Sequence, residues 1–257
     1  MKVIRLSFWW LALSVAIACS CSGPPPTPFV AETEPSASPP AATPPVSPSE
    51  PAPSSPASAF IILPEPRFES QVSLEETLLG RRSVREYADL PLSLEEVSQL
   101  LWAVQGITSD WGGRTAPSAG ALYPLELYLL VGDVDNLEVG VYKYQPQEHA
   151  LVRVGEGDVR TELASAALGQ SFVAEGAIDI VISAVYERTT RKYGDRGVHY
   201  VHMEAGHTAQ NICLESVALD LGTVTIGAFS DERVMDILGM PESEIPLYIM
   251  PVGRKKT

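Results

Sequence analysis

Thirteen prolines fall between Pro24 and Pro56, interleaved with serine, alanine and threonine. Such a stretch buries too little apolar surface to offset its ordering entropy, so residues 19–59 are expected to form a disordered, locally extended tether. Of 257 residues, only those from about Phe60 onward are left to build a core. That is roughly 190 residues, the size of one domain.

Ahead of the tether, Lys2 and Arg5 precede an uncharged run over residues 6–18 that contains Phe8, Trp9 and Trp10. A membrane-spanning helix needs about 20 apolar residues. The run is shorter, so residues 1–18 read as a cleavable export signal. It closes on Ala16-Ile17-Ala18-Cys19, which resembles a bacterial lipobox, with Cys19 lipidated and Cys21 a nearby competitor. An ordinary secretory signal and an uncleaved anchor are the alternatives. A lipidated Cys19 implies a membrane partner and a cell-envelope location outside the cytoplasm. No twin-arginine pair precedes the run, so passage is expected in the unfolded state. NAD(P)H is scarce at that destination.

The formal net charge is −14, and loss of Lys2 and Arg5 with the signal takes it to −16. Affinity for nucleic acid comes mainly from Lys and Arg neutralising phosphates, so nucleic acid is not an expected partner. Of three cysteines only Cys213 lies in the folded portion, which leaves no intrachain disulfide there.

Ser73 with Glu76 and Ser93 with Glu96 read as capping boxes. The first opens a short helix toward Gly80. The second opens one with Val97, Leu100, Leu101 and Val104 on a stripe and Gly106 as its stop. Strands are expected over 125–131, 140–144, 151–154, 178–185, 223–226 and 247–251. Helices are expected over 159–168, about 198–221, and 230–239. The hairpin-like strands near 125–144 argue against a purely parallel winding, so the expected class is α+β with a central sheet.

Arg81-Arg82-Ser83-Val84-Arg85 packs three cations and a hydroxyl into five residues of an acidic chain. Guanidinium forks suit phosphate oxygens because they offer paired planar donors, although such a cluster alone is more often a solvated patch. Small residues in Pro117-Ser118-Ala119-Gly120 would let a backbone approach a flat ligand. Gly227 follows a strand and offers a similar approach, and Arg254 ends the last strand. His199, His202, Glu204 and His207 lack a His-Glu-x-x-His pattern, so no metal site is expected.

The ordered set RRSVREY, APSAGALYPLELY, KYGDRG, a long helix, TIGAF and PVGR resembles the nitroreductase superfamily over about residues 70–254. More narrowly it is similar to the SagB-type dehydrogenases, relatives of the enzymes that oxidise azolines to azoles. The resemblance implies a mixed central sheet flanked by helices in a domain over 60–257, and a homodimer with FMN at each subunit interface. On it, Arg81, Arg82, Ser83 and Arg85 match the segment gripping the phosphate and ribityl chain, and Arg254 matches a further phosphate contact. Pro117, Ser118, Ala119 and Gly120 match a loop against the flavin, typically supplied by the other subunit, and amides near Gly227 match the region approaching flavin N5. Lys192 and Tyr193 match a Lys-Tyr pair implicated in proton transfer, with a basic loop as the alternative.

The implied activity is hydride transfer between FMN and a small-molecule or peptide-derived substrate. A second reading is a non-catalytic envelope lipoprotein that keeps the fold as a binding scaffold. Scarce NAD(P)H weakens the nicotinamide-fed nitroreductase reading and favours a dehydrogenase, or a reductase fed by another envelope donor.

Overall fold

Both serine–glutamate pairs cap the helices that the sequence assigns to them. In the computed structural model, which describes residues 60–256, the Ser73 N–H donates to Glu76 Oε2 at 2.7 Å, and the Glu76 N–H donates to Ser73 Oγ at 3.2 Å. This starts α1 (Leu74–Gly80), and Ser93 with Glu96 repeats the pattern for α2 (Leu94–Gln105). The export signal, the tether, Cys19 and Cys21 lie outside the described residues.

Eight strands form one sheet: β1 (Phe60–Ile62), β2 (Tyr87–Ala88), β3 (Leu125–Val131), β4 (Gly140–Gln145), β5 (Ala150–Glu156), β6 (Ile178–Ala184), β7 (Leu221–Thr223) and β8 (Ile245–Lys255). Their order is β1-β5-β4-β3-β6-β8-β2, with β7 also on β8. The ladders are antiparallel, and a parallel pairing enters at the isolated bridge between Leu92 and Val134. Helices α3 (Arg160–Ala166), α4 (Phe172–Glu175), α5 (Glu187–Tyr193), α6 (Arg196–Ala218) and α7 (Asp231–Leu238) complete the α+β architecture.

The central strands are apolar on both faces because both are covered. Successive side chains alternate across a strand. Thus Leu125, Leu127, Leu129 and Val131 of β3 pack with Leu100 and Leu101 of α2 and Val201 and Ile212 of α6. Tyr128 and Leu130 face the other way, onto Leu163 of α3, Val173 of α4 and Val234 of α7.

Three departures from the sequence reading have physical causes. The expected strand over 223–226 lies earlier, because Leu221–Thr223 pairs with β8 while Ile226 makes only an isolated bridge to Ile249. The two-residue β2 is too short to carry a period. Helix α5 has no apolar stripe: its one buried side chain is Thr189, so periodicity cannot reveal it.

Candidate active site

The arginine-rich segment begins where α1 stops. The Arg81 N–H caps the helix on the Thr77 carbonyl at 2.9 Å, and the Val84 N–H then donates to the Thr223 carbonyl at 2.9 Å, which lays the segment beside β7. Gly222 permits that approach, since a methyl group there would sit 2.6 Å from Val84 Cγ1. Arg82 and Arg85 are exposed and Arg81 half-buried. Among the described residues none of the three makes an ion pair. In a chain with 32 acidic residues against 18 basic ones, three guanidiniums without a carboxylate partner make this segment a candidate anion cradle. Arg82 Nη1 donates to the Leu79 and Arg81 carbonyls at 3.1 and 2.7 Å, and Arg85 lies 5.7 Å over the Phe172 ring.

Arg254 is placed differently from its expected role as a free phosphate contact. Its two terminal nitrogens donate to the Glu96 carboxylate at 2.7 and 2.8 Å, and Nε donates to the Pro91 carbonyl at 3.3 Å. The guanidinium is therefore committed to the start of α2. The neighbouring Lys255 turns to the opposite side, as strand alternation requires, and its Cγ lies on the Gly222–Val84 side. Lys255 is the strand-end cation on the side of the arginine segment, as alternation would predict, but its ammonium is paired with Asp220 at 2.5 Å.

Gly227 is exposed, and a methyl group there would meet Tyr248 Cε1 at 3.8 Å, an ordinary contact. No steric demand for glycine exists at that position within the single chain.

Residues 117–120 open a strained turn that runs on to Tyr123. Gly120 (φ 66°), Ala121 (φ 54°) and Tyr123 (φ 45°) all lie in the left-handed region, where a residue with a side chain costs of order 1–3 kcal/mol. Ser118 Oγ holds the turn by accepting from the Tyr123 N–H at 2.9 Å. Lys192 and Tyr193 at the end of α5 come to the same turn: a methyl on Gly120 would lie 2.7 Å from the Tyr193 hydroxyl and 2.9 Å from Lys192 Nζ. The structure therefore brings Gly120, Lys192 and Tyr193 together within one chain. Lys192 is exposed, with Nζ 5.4 Å from the centre of the Tyr193 ring, and that ring packs edge-on against Tyr200.

Beneath the turn lies Glu204, which the sequence reading weighed only as a metal ligand. It is 2% exposed on α6. Burial pushes its carboxyl up to about 7, although Ser118, Arg114 and Gln105 lie against it and pull the other way. Its position between Val201 and Ala205 on the buried stripe of α6 was the available signal. His202, from the same expected group, instead pairs Nε2 with the Tyr186 hydroxyl at 2.6 Å.

The two halves of the constellation sit at different levels of α6. Gly80, next to Arg81, abuts Val217, while Ser118 abuts Glu204. At ~1.5 Å per residue the helix rises about 20 Å between Glu204 and Val217. Tyr193 packs against Tyr200, one turn of α6 farther from Val217 than Glu204 is.

The profile of the nitroreductase family matches residues 78–254, nearly all of the described portion. The chain belongs to the nitroreductase family. A Methanocaldococcus jannaschii protein named as a nitroreductase is 54% identical over 185 residues, covering 72% of this chain and 92% of that protein. The Escherichia coli microcin B17-processing protein McbC is 28% identical over 171 residues (63% of this chain, 62% of that protein). The Vibrio harveyi NADPH-flavin oxidoreductase is 26% identical over 186 residues (69% and 64%). The chain therefore spans less than two thirds of the latter two proteins.

Among solved structures, a nitroreductase-type protein of Ralstonia eutropha superposes with TM-score 0.68 at 30% identity, covering 77% of this chain and 90% of that one. A chain of the E. coli microcin synthetase McbBCD complex with truncated pro-MccB17 bound gives TM-score 0.60 at 25% identity (76% and 78%). The nitroreductase family, with flavin oxidoreductases among the relatives, implies a flavin cofactor and oxidoreductase chemistry.

Proposed function

We propose that the protein is an FMN-dependent oxidoreductase, acting as a homodimer on a small-molecule or peptide-derived substrate and held in the bacterial cell envelope by a lipid on Cys19. The observation that carries the flavin assignment is the pinned, unpaired arginine segment beside β7. Three guanidiniums and the Ser83 hydroxyl offer donors for a phosphate and polyol chain. The cradle accordingly fits the mononucleotide. When bound, the flavin supplies hydride exchange with an organic substrate.

The homodimer is supported by the separation along α6. A strained turn about 20 Å from the arginine cradle cannot share a single mononucleotide with it. A second copy, packed so that the two α6 helices run in opposite directions, brings the turn of one chain to the cradle of the other. The exposed face of α6 available for this carries His199, Met203, Gly206, His207 and Gln210.

Dehydrogenation removes a proton as well as a hydride from the substrate. Lys192 Nζ and the Tyr193 hydroxyl, side by side at Gly120, are assigned to accept that proton. The likeness to the microcin-processing protein supports a SagB-type, peptide-derived substrate over a nitroaromatic one. The envelope location rests on residues 1–18 and Cys19. It also favours the dehydrogenase direction, because nicotinamide donors are scarce there.

The test is spectroscopic. Protein purified from its native envelope, or incubated with FMN, is expected to absorb at about 450 nm as bound flavins do. Joint replacement of Arg81 and Arg85 by glutamine is expected to weaken FMN binding by about tenfold or more, since bonds to charged groups contribute about 1.5–3 kcal/mol each. No flavin absorbance in the wild type rejects the reading and leaves the scaffold alternative.

A further inference from the structure

Three buried polar atoms near the Gly120 turn lack a close hydrogen bond among the described residues: Gln105 Nε2 and Glu204 Oε1, whose side chains lie against each other, and Arg114 Nε, which has no such neighbour. Such orphans are rare and call for a physical reason, such as a bound group that completes them. Gln105 ends α2 with no exposure at all, and its Oε1 accepts from Arg114 Nη1 at 2.7 Å. Arg114 in turn lies 4.3 Å over the ring of Tyr123, the last residue of the strained turn. Both Gln105 and Arg114 line a cavity of about 330 Å³ whose other walls include Glu126, Tyr144, Gln147 and Arg188. That volume is within the range of small-ligand sites.

The charge on these walls selects the ligand. Glu126 is answered by Arg188 at 2.5 Å and by Lys143 at 3.1 Å. Among the described residues Arg114 has no carboxylate within ion-pair distance. Two guanidiniums face the Glu126 carboxylate and the Glu204 carboxyl. Burial raises the Glu204 carboxyl to about 7, so only part of the second charge is present at neutral pH, which leaves room for a monoanion rather than a phosphate dianion. Burial opposes the charge on Arg114, yet a guanidinium stays protonated in proteins. A desolvated, unanswered cation is costly, and a bound anion offsets that cost.

Position links the cavity to the chemistry. Arg188 precedes Lys192 by one turn of α5, which puts the two on one face, and Arg188 Nη1 also donates to the Tyr123 carbonyl at 3.1 Å.

We propose that this cavity is a carboxylate site in which Arg114, positioned by Gln105, and Arg188 hold the acidic group of a substrate beside the Gly120 turn. Its role in catalysis rests on the reading of that turn as a wall of the flavin site; the binding itself does not.

The test is calorimetric titration of the full chain, with and without FMN, using N-acetylglycine, N-acetylglycinamide, propionate and inorganic phosphate. Both acids are expected to bind, with the uncharged amide weaker by about tenfold or more. Arg114→Gln is expected to remove most of the affinity. Arg188→Gln, at a half-exposed rim position that leaves the fold intact, is expected to lower it several-fold. Tighter binding of N-acetylglycine than of propionate assigns the site to a peptide end, and the reverse assigns it to a small organic acid. The proposal is overturned if the amide matches the acids, if phosphate binds more tightly than either, or if neither variant changes affinity. Absorbance of the same samples separates the two readings. Protein that loads flavin but ignores the acids rejects the cavity alone, and protein that binds the acids without ever loading flavin rejects the flavin reading alone.

Discussion

Gly206→Trp is expected to yield a folded monomer that no longer retains flavin. Glycine in the middle of a helix costs about 0.5–1 kcal/mol relative to alanine, and Gly206 sits mid-way along the 23-residue α6. Nothing among the described residues explains it: a methyl group at Gly206 would meet none of their atoms within 4 Å. It lies on the exposed face, where Met203 is 51% exposed. A position that is open in one chain but kept bare suits close approach of a second chain. Tryptophan there leaves the core of the single subunit untouched and holds two such helices apart. Since the arginine cradle and the Gly120 turn meet α6 at levels about 20 Å apart, separating the subunits would dismantle the site of the proposed dimer. Light scattering should report half the wild-type mass, absorbance should report flavin loss, and the melting of the single chain should remain cooperative. A dimeric, flavin-loaded Gly206→Trp protein would show that this face is not the interface.

How much of this was legible beforehand depends on the range of each interaction. Capping boxes act over three residues, so Ser73, Glu76, Ser93 and Glu96 announced their helices directly. The doubly buried strands β3 and β6 showed as largely apolar runs, broken by Glu126 in the first and by Asp179 and Ser183 in the second. Helix α5 did not show, because ERTTRKY buries a single threonine. Nothing local indicates that Arg254 is spoken for by Glu96, 158 positions away. The same holds for the meeting of Gly120 with Lys192 and Tyr193, whose geometry depends on a strained turn and a polar helix that converge only in the fold. Nor does the chain order tell that Arg81 and the Gly120 turn lie at different levels of one helix. That separation follows only once Gly80 and Ser118 are seen against Val217 and Glu204.

Exchange of Asp179 for asparagine is expected to stabilise the protein at neutral pH, and to do so less and less toward acid. Asp179 lies in β6, paired through its backbone with Leu130 and Pro251, and is wholly buried. Neither carboxyl oxygen has a partner among the described residues. The cation that would suit it, Arg160, is already held by Asp158 through two bonds of 2.9 and 2.7 Å and by the Gly176 carbonyl. Burial raises the Asp179 carboxyl well above the usual aspartate range, with Arg160 opposing the rise. The native state thus holds this proton more tightly than the unfolded chain does. Stability is therefore lost as pH climbs past the unfolded value of about 3.9, at about 1.4 kcal/mol per pH unit until the folded value is passed. Asparagine has nearly the same shape and no such proton, so it escapes the loss. The variant should melt above the wild type at about pH 7.5, with the gap closing toward about pH 4. An equal gain at both pH values would trace it to packing rather than ionisation. A lower melting temperature at the higher pH would mean that the carboxylate is charged in the native state, and that the sheet supplies it a partner.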